Sequence, residues 1–393
     1  MIFNTWDYYI LFLFPSALLF RWVRPPWRPW VSFLSGSLFF AYFSYMFLAG
    51  IVGAVCLVIF LWECVVSRFY KPGRWMCWVG VSQAVAILVL FKYRNFLTGL
   101  AWGDSGVNPW YWRNAFLPLG ISFFTFEFVH YAVDRYRNKT VEGSWTEYLA
   151  FILFFPTMVA GPIKRYQDFL PKLRTISPDW VLDWQRGITR ILVGLVKKFT
   201  VADLLTAYTN HLTMSDIALA DRAALPLWLF AYGIKIYADF SAYSDIAIGS
   251  ARLFGVRVPE NFDWPYLQTN IAGFWRHWHI SLSSWLVDYV FIPLGGSRVP
   301  ALRIYVNLLV TMLVSGIWHG AGTNFVVWGL WHGIMLTGHR AWRQWRPLPP
   351  TPVPLWRRTT AWAFTFLLVN AAWAFFCMDL RTAIFFFRRL FIG

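Results

Sequence analysis

Of the 393 residues, 58% are hydrophobic, 21% aromatic and only 14% charged, far below the quarter of charged residues usual in soluble globular domains. The net charge of +16 is dispersed through short clusters at 21–28, 68–74, 135–139, 164–174 and 340–346. Clusters of that kind belong in cytoplasmic loops beside anionic lipid. A soluble domain and a nucleic-acid binder are therefore excluded, and the chain reads as an all-α polytopic membrane protein.

In chain order, residues 6–20 form a first helix, retained because no cationic leader or small-residue cleavage site accompanies it. The basic, proline-rich RWVRPPWRPW at 21–30 stops that helix, since proline lacks the amide donor. Residues 31–66 are too long for one crossing and read as two, with a turn at 48–50. A basic loop at 67–74 returns to the cytoplasm, 75–91 crosses outward, and 92–113 reads as a polar, aromatic loop on the far side. Residues 116–133 cross inward. The stretch 148–160 is read as re-entrant, because a full crossing would put the cations of GPIKRYQDFLPKLR outside. Residues 183–204 form an interrupted amphipathic helix at the interface.

Residues 225–248 are apolar but carry Lys235, Asp239 and Asp245. The stretch 260–297 has no clean apolar run and reads as short helices or re-entrant loops held within protein, where irregular backbone at membrane depth is tolerated. Two apolar runs then meet within 303–333, followed by a cytoplasmic linker at 343–358 and a final span at 359–378. A short apolar stretch with Arg388 and Arg389 finishes the chain. The total is about 10–12 membrane segments, judged by the spanning length. No internal repeat supports an inverted-repeat transporter.

The chemistry centres on histidine. His319 sits at the polar break between the paired runs, flanked by Trp318 and the glycines Gly316, Gly320 and Gly322, which permit a bend and close backbone approach. An ionisable residue inside apolar helix is a functional candidate by default; the plainer reading is a histidine bonded to a neighbouring carbonyl. His279 lies in the 260–297 stretch beside Arg276 and before Ser281, Ser283 and Ser284. A low-dielectric site disfavours imidazolium, which leaves a neutral ring able to take a proton from a hydroxyl. His277 and His279 form an H-x-H pair with no carboxylate or cysteine placed to complete a metal site. Cys56, Cys64, Cys77 and Cys377 show neither a disulfide framework nor zinc-ligand spacing. The serines lack a G-x-S-x-G elbow. His332 reads as a packing or capping histidine. Asp239, Ser241, Ser244 and Asp245 either line a polar tunnel or pair with Lys235 and Arg252.

Five ordered stretches, LPLGISFFTFEFVHYAVDRYR (117–137), FFPTMVAGPIKRYQDF (154–169), DFSAYSDIAIGSARLFGVRVPENFDWPY (239–266), FWRHWHISLSSWLVDYVFIPLGG (274–296) and SGIWHGAGTNFVVWGLWHG (315–333), give the chain its likeness. It resembles the membrane-bound O-acyltransferase (MBOAT) family, in the branch of alginate and peptidoglycan O-acetyltransferases, which also holds the teichoic-acid D-alanyl transfer protein. The resemblance implies membrane helices over 1–116, a catalytic core over 117–340, and a linker with C-terminal helix over 341–393. It implies a funnel-like core pierced by a central tunnel. The family's membrane-embedded histidine, its general base, falls on His319, and the second family histidine on His279. Trp318, Asn324, Trp275, Arg276, Ser281 and Asp245 are the candidate tunnel residues. Where the family reads FWRRWH, SLSSWLRDY and WVFFR, this chain has His277, Val287 and WAFFC at 373–377.

The expected function is O-acetyl transfer in the bacterial inner membrane, from a cytoplasmic acyl thioester, most simply acetyl-CoA, toward an extracytoplasmic polysaccharide. No tightly bound cofactor is expected. A periplasmic or membrane-anchored esterase-like protein is the implied acetyl acceptor. The alternatives are D-alanyl transfer from a carrier protein to teichoic acid, and a non-catalytic acyl or polymer conduit.

Overall fold

In hydrocarbon a backbone amide has no water to bond, so an apolar run must close its hydrogen bonds internally as a helix. The computed structural model describes residues 2–47, 51–69, 73–103, 111, 117–175, 179–346 and 353–392, and these are predominantly helical. Among them the only β pairing is an isolated antiparallel bridge between Phe262 and Trp278. Among the described residues, three helices are long and apolar enough to cross a membrane: Arg74–Trp102, Ala301–His319 and Leu355–Cys377. The chain divides into two units, Met1–Leu195 with Tyr243–Pro259, and Val196–Ala242 with Glu260–Gly393.

In the first unit, Phe14–Trp22 ends before Pro25, and the 31–66 region is two helices, Arg28–Phe47 and Ile51–Phe69. The turn expected at 48–50 lies outside the described residues. Residues 92–102 are not loop. Helix Arg74–Leu88 continues through a π-helical turn, Val89–Tyr93, into Arg94–Trp102. The chain has no proline there to stop it, and Lys92 donates to Ser122 Oγ at 3.2 Å. Most of the remaining expected loop, 104–110 and 112–113, lies outside the described residues.

The stretch read as re-entrant folds as Trp145–Ile152 and Phe155–Met158. At 1.5 Å per residue neither crosses a bilayer core of roughly 30 Å. The rings of Tyr148, Phe151 and Phe155 are buried, and Phe155 stacks on Phe39 with centroids 5.1 Å apart. Beside them the buried Lys164 is paired with the buried Glu127 and lies 4.6 Å from the centre of the Phe151 ring. The interrupted amphipathic helix is Trp180–Val196, and the interruption is the π-helical turn Lys197–Ala202.

The second unit carries the short elements expected in 260–297. Ile271–His277 and Ile280–Leu286 are each 7 residues long, and a π-helical turn, Val287–Phe291, extends the second. Asn270 caps the first by accepting the Gly273 amide at 2.8 Å. The helix Ala301–His319 and its partner Thr323–Trp345 follow, then Leu355–Cys377 and Leu380–Phe391. Residues 347–352 of the expected linker lie outside the described residues.

Candidate active site

His319 is the last residue of its helix. The extended Gly320 and Gly322 separate it from Thr323, where the next helix begins. The two helices touch through backbone: a Cβ on Gly316 would collide with the Phe325 carbonyl, and one on Gly329 would stand 2.6 Å from the Met312 carbonyl oxygen. A Cβ on Gly320 would meet the Phe325 ring. The glycines therefore set how closely the helices approach at the histidine, as small residues do in membrane helix pairs.

The half-buried His319 ring packs against aromatic side chains. The centre of Trp318 lies 4.8 Å away, that of Trp328 5.0 Å and that of Phe376 5.0 Å, each presented edge-to-face. Phe376 comes from Leu355–Cys377. That helix is tied to the pair by Asn324, whose Nδ2 donates to the Phe375 carbonyl at 3.1 Å. Behind Trp328, the buried His332 accepts the Trp275 indole N–H on Nδ1 at 3.3 Å. His332 also packs against Trp328, with centroids 4.7 Å apart.

His279 is held differently. It has left-handed backbone, φ 44 and ψ 55, just before Ile280–Leu286, a conformation uncommon for any residue other than glycine and worth notice. Asn261 fixes it from across the chain: its carbonyl accepts the Ile280 amide at 2.9 Å, and its Oδ1 accepts the Ser281 hydroxyl at 2.6 Å. The Asp263 amide donates to the His277 carbonyl at 3.0 Å, completing the clamp on either side of the Phe262–Trp278 bridge. The ring is buried against Phe240 at 4.7 Å, and neither nitrogen has a hydrogen-bond partner among the described residues. Its other ring neighbour is Trp318, at 6.2 Å. One indole thus contacts both histidines.

His319, His279, Trp318, Trp275, Asn324, Arg276 and Ser281 all fall in the second unit. Asp245 falls in the first, where its carboxylate accepts from Arg190 Nε at 2.5 Å. Arg252, expected as a partner, instead bonds Asp183 at 3.3 Å, and Lys235 donates to Thr209 Oγ1 at 2.9 Å. Asp239 lies 2.9 Å from Lys198. These acids reach charges on neighbouring elements rather than on their own helix. His277 turns its Nδ1 to the Gly273 carbonyl at 2.8 Å. Trp328, Phe376 and Asn261 were not singled out from the sequence. Phe376 and Asn261 lie far along the chain from the histidines they hold, so local spacing carries no mark of them.

The described residues thus form a helical membrane protein in which a half-buried histidine at a helix break and a buried histidine in left-handed backbone pack on the same indole. The model of MBOAT, the membrane-bound O-acyltransferase family, matches residues 55–379, and the chain belongs to that family. The probable alginate O-acetylase AlgI of Azotobacter vinelandii is 40% identical over 318 residues, covering 79% of this chain and 61% of that protein. The chain therefore spans about three-fifths of the length of that relative. The probable alginate O-acetylase AlgI of Pseudomonas putida is 35% identical over 96% of this chain and 77% of its own length. The peptidoglycan O-acetyltransferase of Helicobacter pylori is 31% identical with the same two coverages.

Proposed function

We propose that the protein is a bacterial inner-membrane O-acetyltransferase in which His319 is the general base. A cytoplasmic acyl thioester, most simply acetyl-CoA, is the donor. A ring nitrogen of His319 takes the proton of an acceptor hydroxyl as its oxygen attacks the thioester carbonyl carbon. The C–S bond breaks, and the thiolate leaves as thiol with the proton that the histidine held, so hydroxyl and thioester become ester and thiol. The C-terminal end of a helix carries partial negative charge, which suits a ring that gains a proton during the reaction. His279 assists from the far side of Trp318. The acetyl group passes to an extracytoplasmic polysaccharide through an esterase-like partner protein.

The observation that carries this reading is the pair of histidine rings sharing Trp318, one half-buried at a helix end and the other buried with both nitrogens unpartnered. The names of the alginate and peptidoglycan relatives support acetyl as the group moved. Replacing His319 with alanine is expected to lower polymer O-acetylation in cells by about 100-fold or more, the usual worth of general-base catalysis, at unchanged protein level. Wild-type acetylation by that variant refutes the role.

A second reading is D-alanyl transfer, favoured by 28% identity to the teichoic acid D-alanyltransferase of Streptococcus thermophilus over 79% of this chain. Reconstituted protein offered acetyl-CoA or a D-alanyl carrier protein separates the two by which thioester it consumes.

A further inference from the structure

Trp275 has two sides. One meets Trp328, ring centres 5.8 Å apart, and through it the cluster around His319. The other lines a cavity of about 560 Å³ that reaches neither histidine. That volume is within the range of small-molecule sites. Arg276 and Arg340 both face it, with hydroxyls from Ser283 and Thr311 and an apolar wall that includes Trp275 and Met312.

Its electrostatics are unbalanced. Neither Arg276 nor Arg340 has a carboxylate partner among the described residues, and the Nε of Arg340 is buried without any hydrogen-bond partner. Asp288 is the one carboxylate on the lining, against two guanidinium groups. A buried donor without an acceptor is costly, and guanidinium forks match the geometry of phosphate oxygens.

We propose that this cavity binds a phosphate or diphosphate group clamped by Arg276 and Arg340, with the chain attached to that group lying along the Trp275 and Met312 wall. The same chemistry is offered by a soluble thioester donor and by an anionic phospholipid headgroup. That the phosphate belongs to an acyl donor rests on the acyltransferase reading; phosphate binding itself does not.

The test uses the full chain in phosphatidylcholine nanodiscs, titrated with coenzyme A while tryptophan fluorescence and heat are recorded. Arg340→Gln and the solvent-exposed Arg276→Gln are each expected to weaken binding roughly tenfold or more, the worth of a charge-assisted hydrogen bond, with Arg340→Lys in between. Discs containing phosphatidylglycerol assign the source: unchanged coenzyme A binding supports the soluble donor, and competition supports the headgroup at the same clamp. Wild-type affinity of both glutamine variants, for coenzyme A and against phosphatidylglycerol, overturns the site. His319→Ala is expected to bind coenzyme A normally. Normal acetyl transfer by that variant, alongside weakened binding in Arg340→Gln, removes the general base and leaves the phosphate clamp standing.

Discussion

Residue by residue, the site depends on side chains that hold histidines rather than on the histidines alone. Asn261 is the clearest case, because its carboxamide and carbonyl between them fix Ile280 and Ser281 on the far side of His279. Asn261→Ala leaves the buried Ser281 hydroxyl without that acceptor. The cost is about 1 kcal/mol, the net worth of a lost buried hydrogen bond, read as a lower midpoint in thermal unfolding of the purified protein. A midpoint equal to wild type would show that the His279 strain is held by something else. His319 and His279 were legible in the sequence because an ionisable residue among apolar ones is conspicuous. Asn261 was not, since its partner stands 20 positions away and only the fold brings them together.

At the level of elements, the helix pair around His319 depends on backbone contact. The atoms nearest a Cβ at Gly316 are all backbone, the Phe325 carbonyl oxygen and the Gly329 Cα and N, which cannot swing aside as a side chain can. Gly316→Leu is therefore expected to cost about 1–3 kcal/mol by overpacking and to separate the His319 and Trp328 rings, lowering both folded yield and transfer. Folded protein with normal transfer would count against the tight crossing.

The C-terminal helix Leu380–Phe391 gives a second prediction. Asp379 accepts the Thr382 amide at 3.1 Å and its hydroxyl at 2.6 Å. These bonds, the hydroxyl first, hold its carboxyl below the usual carboxylate value. Its contribution is thus complete at neutral pH and is lost as pH falls into the acid range below about 4. Asp379→Ala is expected to cost about 1 kcal/mol as a lost N-cap, with the gap from wild type closing on acidification. A gap independent of pH contradicts the capping role. Helices and the short pieces of 260–297 were readable from apolar run length. The extension through Arg94–Trp102 was not, because a π-helical turn absorbs Lys92 at a place where polarity suggested a loop.

For the whole molecule, the proposal is a membrane protein that brings a thioester and a hydroxyl to a single imidazole; family membership supports acyl transfer, and the choice of imidazole rests on the histidine pair at Trp318. The five sequence blocks carried that family likeness across most of the core, whereas the aromatic neighbours from Leu355–Cys377 needed the fold. The direct measurement is thioester consumption coupled to O-acetyl formation by protein reconstituted in liposomes with acetyl-labelled coenzyme A and the esterase-like acceptor protein proposed above. Wild type is expected to pass label to the acceptor, and His319→Ala to bind coenzyme A but lose transfer by about 100-fold or more. Equal label transfer by the two proteins would contradict the account.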